Sequence, residues 1–82
     1  MYPRRVIVML KDDGTARQAV ITRLGEARVT VADEDYDLNV RRHRSRLILD
    51  VRLLAASELD RMVMLLAAMP EVRRVKVQRP AA

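Results

Sequence analysis

The residues best equipped for chemistry in this sequence stand in one stretch, "ADEDYDLNVRRHRSR", residues 32 to 46. Asp33, Asp35 and Asp37 occupy alternate positions, which is how a calcium-binding EF-hand loop begins. Continued in that register, the loop would need glycine at Leu38 and a bidentate Glu at Arg44, so the EF-hand reading fails. The acidic run reads instead as an edge strand guarded by charge against sheet-to-sheet pairing. His43 is the sole histidine and is set among Arg41, Arg42, Arg44 and Arg46. With no second histidine, no cysteine and no paired carboxylate, a metal site cannot be built around it, and no cofactor is expected. Ser45, expected beside His43 in a flexible tip, lacks an orienting carboxylate, and Ser57 is expected to serve as a helix cap, so no nucleophile and base face each other. The chain is therefore read as no enzyme. The basic loop is expected to be a solvated hairpin tip, or a contact for an acidic partner or anionic lipid heads.

These groups belong to a chain of 82 residues, near the lower limit for a domain held by one hydrophobic core. The absence of cysteine excludes disulfides and thiolate metal sites. Half the residues are apolar and a third are charged, the profile of a folded domain, with 2 tyrosines and no Phe or Trp, hence an aliphatic core. The net charge of +5 invites a nucleic-acid reading. Two observations oppose it: the acidic run beside the arginines would repel phosphate, and stacking aromatics are missing. No nucleic-acid partner is expected, and a basic nucleic-acid-binding domain that uses the Arg41 to Arg46 loop is the competing reading. The longest apolar run, Met62 to Met69, stops at Pro70, well short of the roughly 18 to 20 residues that span a bilayer. The start "MYPRRV" lacks the apolar stretch of a secretory signal. Residues 1 to 82 are expected to form a single domain excised from a larger protein, touching a membrane only through that parent chain.

Apolar periodicity predicts the elements that hold these residues. "RRVIVMLK" carries Val6, Val8 and Leu10 on one face and Ile7 and Met9 on the other, as a central strand does. In "DDGTARQAVITRLGEA", Ala16, Val20, Leu24 and Ala27 recur at helical spacing, and Thr15 with Gln18 fits a capping box. "RVTVADEDYDLNV" reads as a strand whose apolar parity changes from Val29 and Val31 to Tyr36, Leu38 and Val40. A period of two cannot change parity without an extra residue, which predicts a bulge or kink around Ala32 to Asp35. "RLILDVRLL" alternates Leu47, Leu49, Val51 and Leu53 with Ile48, Asp50 and Arg52. "SELDRMVMLLAAM" opens on a Ser57 cap and carries Leu59, Met62, Val63, Leu66 and Met69 along one stripe until Pro70 ends it. The last strand, "VRRVKV", is expected to bury Val75 and Val77.

The order β-α-β-β-α-β predicts an α+β, ferredoxin-like fold, a four-stranded antiparallel sheet with two helices on one face and the first and third strands in the middle. The uncovered face should then offer Ile7, Met9 and Ile48, framed by Asp50, Arg52, Arg74 and Lys76. The second helix carries Met64, Leu65, Ala67 and Ala68 beyond its core stripe. Exposed apolar surface rimmed by charge marks an interface, so Ile7, Met9, Ile48, Met64, Leu65 and Ala68 are candidate interface residues. The alternative is that Met64 and Leu65 cover the first helix.

An apolar first strand, "LGEARVTV" leading into the second, and "LDRMVMLLAAMPEVRRVKV" at the end together resemble an ACT or ACT-like regulatory domain, from about Arg5 to Arg79. Within that group the chain is most similar to the cytosolic C-terminal domain of the MgtC/SapB membrane proteins, which implies a role linked to magnesium limitation. The C-terminal ACT domains of RelA/SpoT proteins and the acetolactate synthase small subunits are the further resemblances. The ligand loop of amino-acid-binding ACT domains has Asp-x-x-Gly before an apolar residue. Here Asp12, Asp13, Gly14 and Thr15 occupy that place, making them the candidate ligand-binding residues. Thr15, Ala16 and Arg17 stand where Leu or Val is expected, which puts amino-acid sensing in doubt. The partners implied are other domains of the parent, a partner protein, or a second copy in a homodimer. The implied location is cytoplasmic, at the cytosolic side of the inner membrane if the parent is of the MgtC type.

Overall fold

A computed structural model describes residues 2–11 and 14–79. Its elements run β1 (Tyr2–Lys11), α1 (Ala16–Glu26), β2 (Thr30–Asn39), β3 (Arg44–Leu53), α2 (Ser57–Ala67) and β4 (Val72–Gln78). The strands form one antiparallel sheet in the order β2-β3-β1-β4. The expected βαββαβ architecture is thus the one adopted, with β1 and β3 central.

Period-two alternation decides which side chains meet the helices. Val6, Val8 and Leu10 of β1 and Leu47, Leu49, Val51 and Leu53 of β3 are all buried. They form one core with Ala16, Val20 and Leu24 of α1 and Met62 and Leu66 of α2. Full burial of each such Leu or Val stabilises by roughly 1.5–3 kcal/mol, and no disulfide assists. The helices divide the covered face: α2 lies along β4, while Arg17 of α1 reaches β2, sitting 5.2 Å above the Tyr36 ring and 3.6 Å from Glu34.

The predicted bulge is present. Val31 pairs with Val51 and Asp33 with Asp50, leaving Ala32 as the extra residue. By this register Val31, Tyr36 and Leu38 share the helix side, and Asp33, Asp35 and Asp37 share the other. A second irregularity between Met9 and Leu10 skips Arg73, so Val72 and Val75 both stay on the helix side. Val75 and Val77 are half-buried rather than buried, because β4 is an edge and α2 shields it from one side only.

Both helix starts differ from expectation. No side-chain hydrogen bond caps α1 at Thr15, and Gln18 Nε2 donates instead to Thr22 Oγ1 at 3.3 Å. The chain enters α2 one residue early, with Ala56 at the cap, so Ser57 is already helical. Glu58 does the tying there, its Oε2 accepting from the backbone N–H of Leu54 at 3.1 Å. Ala27 falls just past the end of α1 and is exposed. Helix α1 ends in a Schellman pattern: Val29 N–H donates to Leu24 O, and Arg28 N–H donates to Gly25 O. Arg28 takes the left-handed position (φ 61) that glycine usually fills. At the other end of α2, Pro70 forbids a further helical turn. Val72 N–H bonds Met69 O, and Lys11 N–H bonds Glu71 O, which brings the chain directly onto the edge of β1.

Candidate functional site

Helices cover one side of the sheet, so the free side is where this fold can meet something else. The strand registers set its rows. Across β2, β3, β1 and β4 the central row reads Asp35, Ile48, Ile7, Lys76; on one side of it lies Asp37, Arg46, Met9, Arg74, and on the other Asp33, Asp50, Arg5, Gln78. Ile7, Met9 and Ile48, expected together, are together and half-buried in the middle of this face. The β2 edge is acidic and the β4 edge is basic.

Two ion pairs tie the rows internally. Arg5 Nε lies 3.1 Å from Asp50 Oδ1, with both side chains about one-third exposed. The hydrogen bond and the charge of Asp50 hold the Arg5 guanidinium above its ordinary pKa, with a further contribution from Asp33. Arg46 reaches Asp37 at 3.2 Å. Among the described residues no ion pair takes Asp35 on one edge, or Arg74 and Lys76 on the other.

The basic loop is split by the turn. Arg41, Arg42 and His43 lie in the exposed connection over residues 40–43, where His43 has φ 52 and Asn39 Oδ1 accepts from Arg42 N–H at 3.1 Å. Arg44 and Arg46 instead belong to β3 and join the open face. Arg42, Arg44 and Arg46 border a shallow depression with Met9, Asp37 and Asn39. Ser45, expected in the tip, is a buried β3 residue whose hydroxyl donates to Lys11 O at 3.4 Å. The strand's parity sends it inward, which removes it from any surface chemistry.

Of the candidate ligand loop, Asp12 and Asp13 lie outside the described residues. Gly14 and Thr15 are exposed, and a Cβ added at Gly14 would meet nothing within 4 Å. The remaining candidate interface residues sit on α2, away from the open sheet face. Met64 is 72% exposed and Ala68 is exposed, while Leu65 packs against the core. Met64 therefore does not cover the first helix.

Sequence reasoning missed a cleft of about 340 Å³ between the start of β2, the end of β3 and α2. Val29, Met62 and Leu65 supply apolar lining, Arg28, Arg52 and Arg61 supply cations, and Glu58 supplies one carboxylate, whose Oε2 accepts from Leu54 N–H. Its size falls in the range of small-molecule sites, and its chemistry suits a small anion with an apolar part. The one sequence signal was Arg28, a bulky residue placed where a helix ending in this manner favours glycine. Among the described residues no group of His, Cys, Asp and Glu could hold a metal ion, and no helix is long and apolar enough to cross a membrane.

No family model matches this sequence, and no curated protein matches it at a significant level. Solved structures do match. The ACT domain from a GTP pyrophosphokinase of Chlorobium tepidum aligns over 94% of this chain and 97% of its own, with TM-score 0.79 and 9% identity. The C-terminal domain of the MgtC protein from Mycobacterium tuberculosis aligns over 93% and 84%, with TM-score 0.69 and 18% identity. The acetolactate synthase small subunit from Thermotoga maritima aligns over 98% of this chain, which spans about half (49%) of that subunit, with TM-score 0.85 and 12% identity. At such identities the likeness is one of fold, and that fold is ACT-like.

Proposed function

We propose that this chain is a non-catalytic ACT-like module that regulates or assembles a larger protein, and that its parent is an MgtC-type membrane protein carrying it as a cytosolic C-terminal domain. The observation behind the regulatory reading is the division of the sheet: one face closed by two helices, the other open, apolar at its centre and charged at its rims. Surfaces of that make-up serve recognition. Two side chains of types that can perform chemistry have structural work instead: Ser45 is buried against Lys11 and Glu58 holds the entry to α2. For the finer reading, the MgtC domain has the highest identity of the three relatives described, and the ligand loop departs from the pattern that amino-acid-binding ACT domains share.

A second reading, an amino-acid-sensing or oligomerising domain of the RelA/SpoT or acetolactate synthase type, is favoured by the higher TM-scores to those two structures. The readings separate in a titration of the isotopically labelled chain with amino acids and with Mg2+. The MgtC-type reading expects the amides of Gly14 and Thr15 to stay in place. Saturable movement there on adding an amino acid favours the sensor instead. Hydrolysis of any nucleotide by the purified chain would overturn both.

A further inference from the structure

The open face is acidic on one edge and basic on the other, and the two edges are about 14 Å apart across three strand spacings. Asp35 therefore cannot reach Lys76 within one chain, nor Asp37 reach Arg74, although each pair shares a row. We infer that a second copy of this chain docks face to face on the open side of the sheet, about a twofold axis that runs along the strands between β3 and β1. The inference goes beyond the regulatory reading and holds whatever the parent protein is.

Rotation about that axis keeps each row in place and reverses its order. Asp35 then lies over the partner copy's Lys76, and Asp37 over its Arg74. Ile7 meets Ile48, and Arg5 meets Asp50, each in both directions. Met9 is covered by the stem of Arg46, whose guanidinium already binds Asp37, so Arg46, Asp37 and the second copy's Arg74 form one charged chain. A single face thus matches itself in all three of these rows, which is what an isologous interface requires. The other in-plane axis, across the strands, sets Asp35 on Asp35 and Lys76 on Lys76. Like charges in contact penalise that arrangement, so charge selects the orientation as well as the partner.

The size of the face sets the strength. Beyond the three matched rows, the row of Asn39, Arg44 and Lys11 sets Arg44 over the second copy's Lys11, a like-charge contact that weakens the pairing. Four strands spaced about 4.8 Å apart and about five rows of side chains give a footprint on the order of 500 Å² per copy. The total is then near 1,000 Å², at the lower bound of specific interfaces. A weak, salt-sensitive dimer is the expected result, because its matching charges are exposed before association.

The test is sedimentation equilibrium of the intact chain across concentration, at low and high salt. Wild type is expected to dimerise and to weaken as salt rises. The variant Arg74→Glu/Lys76→Glu, acidic on both edges, and the variant Asp35→Lys/Asp37→Lys, basic on both, should each weaken self-association by about 100-fold. Mixed in equal amounts, they should form a heterodimer about as tight as wild type. Circular dichroism matching wild type establishes that each variant is folded. Should either fail to fold, Gln78→Cys provides a second route, because the chain has no other cysteine. A spin label there, mixed with isotopically labelled wild type, should broaden the amide of Asp33, whereas the crossed axis would broaden Arg74. A wild type that stays monomeric at millimolar concentration overturns the inference. So do reversed variants that self-associate as wild type does, which would place the contact at a sheet edge or on α2. A mixture that remains monomeric overturns it too. Each of these failures leaves the non-catalytic reading standing, since that reading falls only to turnover of a substrate.

Discussion

On β1 and β3 the same aliphatic residue types stand back to back, yet the two faces of the sheet have different fates. Val6, Val8, Leu47 and Leu49 are fully buried under the helices, while Ile7, Met9 and Ile48, one residue away along the same strands, remain half-exposed. Hydrophobicity does not distinguish the two sets. What does is their neighbours on the edge strands. On the helix side β2 and β4 contribute Val31, Tyr36, Leu38, Val72, Val75 and Val77, with one charge, Glu34, that Arg17 of α1 takes up; on the open side they contribute Asp33, Asp35, Asp37, Arg74, Lys76 and Gln78. One face is completed by its own chain. The other keeps an apolar centre too charged at its rims to attract a helix and too apolar to be indifferent to a partner.

The largest test of that contrast places a charge on each face. Leu49→Lys buries an ammonium whose nearest carboxylate, Glu34 across the strand pair, is exposed and already held by Arg17, and it should unfold the protein, since such burial costs more than a marginal domain's stability. Ile48→Lys, adjacent in sequence, should leave the far-ultraviolet circular dichroism unchanged. Equal unfolding by both would mean the open face is part of the core. Truncation grades the same contrast more finely. Leu49→Ala should cost about 3 kcal/mol in urea titration, whereas Ile48→Ala, which empties no enclosed space, should cost about 1 kcal/mol or less in the monomer.

Deletion of Ala32 probes how the faces are kept apart. In the observed register Val31 already opposes Val51 and Asp33 already opposes Asp50, so removing Ala32 makes the ladder regular without moving any side chain to the wrong side. The change should be within about 1 kcal/mol, read as a urea midpoint near that of wild type. Removing Asp50 from β3 lacks that escape. It would turn Val51 and Leu53 outward, and loss of the cooperative transition is the expected outcome.

Much of this contrast was legible in the sequence. Strand parity gave the members of both faces, and the break in parity between Val31 and Tyr36 required an irregularity around Ala32 to Asp35, which the register fixes at Ala32. Periodicity works here because each strand residue has only two choices of side. The helix starts were not legible at that level. Whether Thr15 or Ser57 caps depends on the backbone angles of a single residue, and in α2 the chain turns helical one position early, so that Glu58 takes the free N–H. Ser45 was misplaced because turn composition was read up to it, while β3 begins at Arg44. The arginine-rimmed cleft draws on Arg28, Arg52 and Arg61, three residues from separate segments, and no local pattern joins them. For the open face, the sequence supplied the residues but not the pairing of an acidic edge with a basic one, which needs the strand order.

The smallest expected effect concerns Arg5 and Asp50, the one ion pair in the row below Ile48 and Ile7. At 3.1 Å the geometry is good, but both side chains remain about one-third exposed, and water screens such pairs strongly. Asp50→Asn should therefore lower Tm by no more than about 2 °C in the monomer. The sign of its pH dependence follows from the raised Arg5 pKa. A cation whose pKa is raised by folding contributes stability that is fully present below its unfolded pKa and is lost only as pH rises through the folded one. For an arginine that window lies beyond the neutral range, so the difference between wild type and Asp50→Asn should be flat from about pH 6 to pH 9. A loss approaching that of Leu49→Ala would mean that the open face holds the fold together. A small loss in the monomer accompanied by a clear loss of self-association would instead assign Asp50 to the contact between copies, where it would meet a second Arg5.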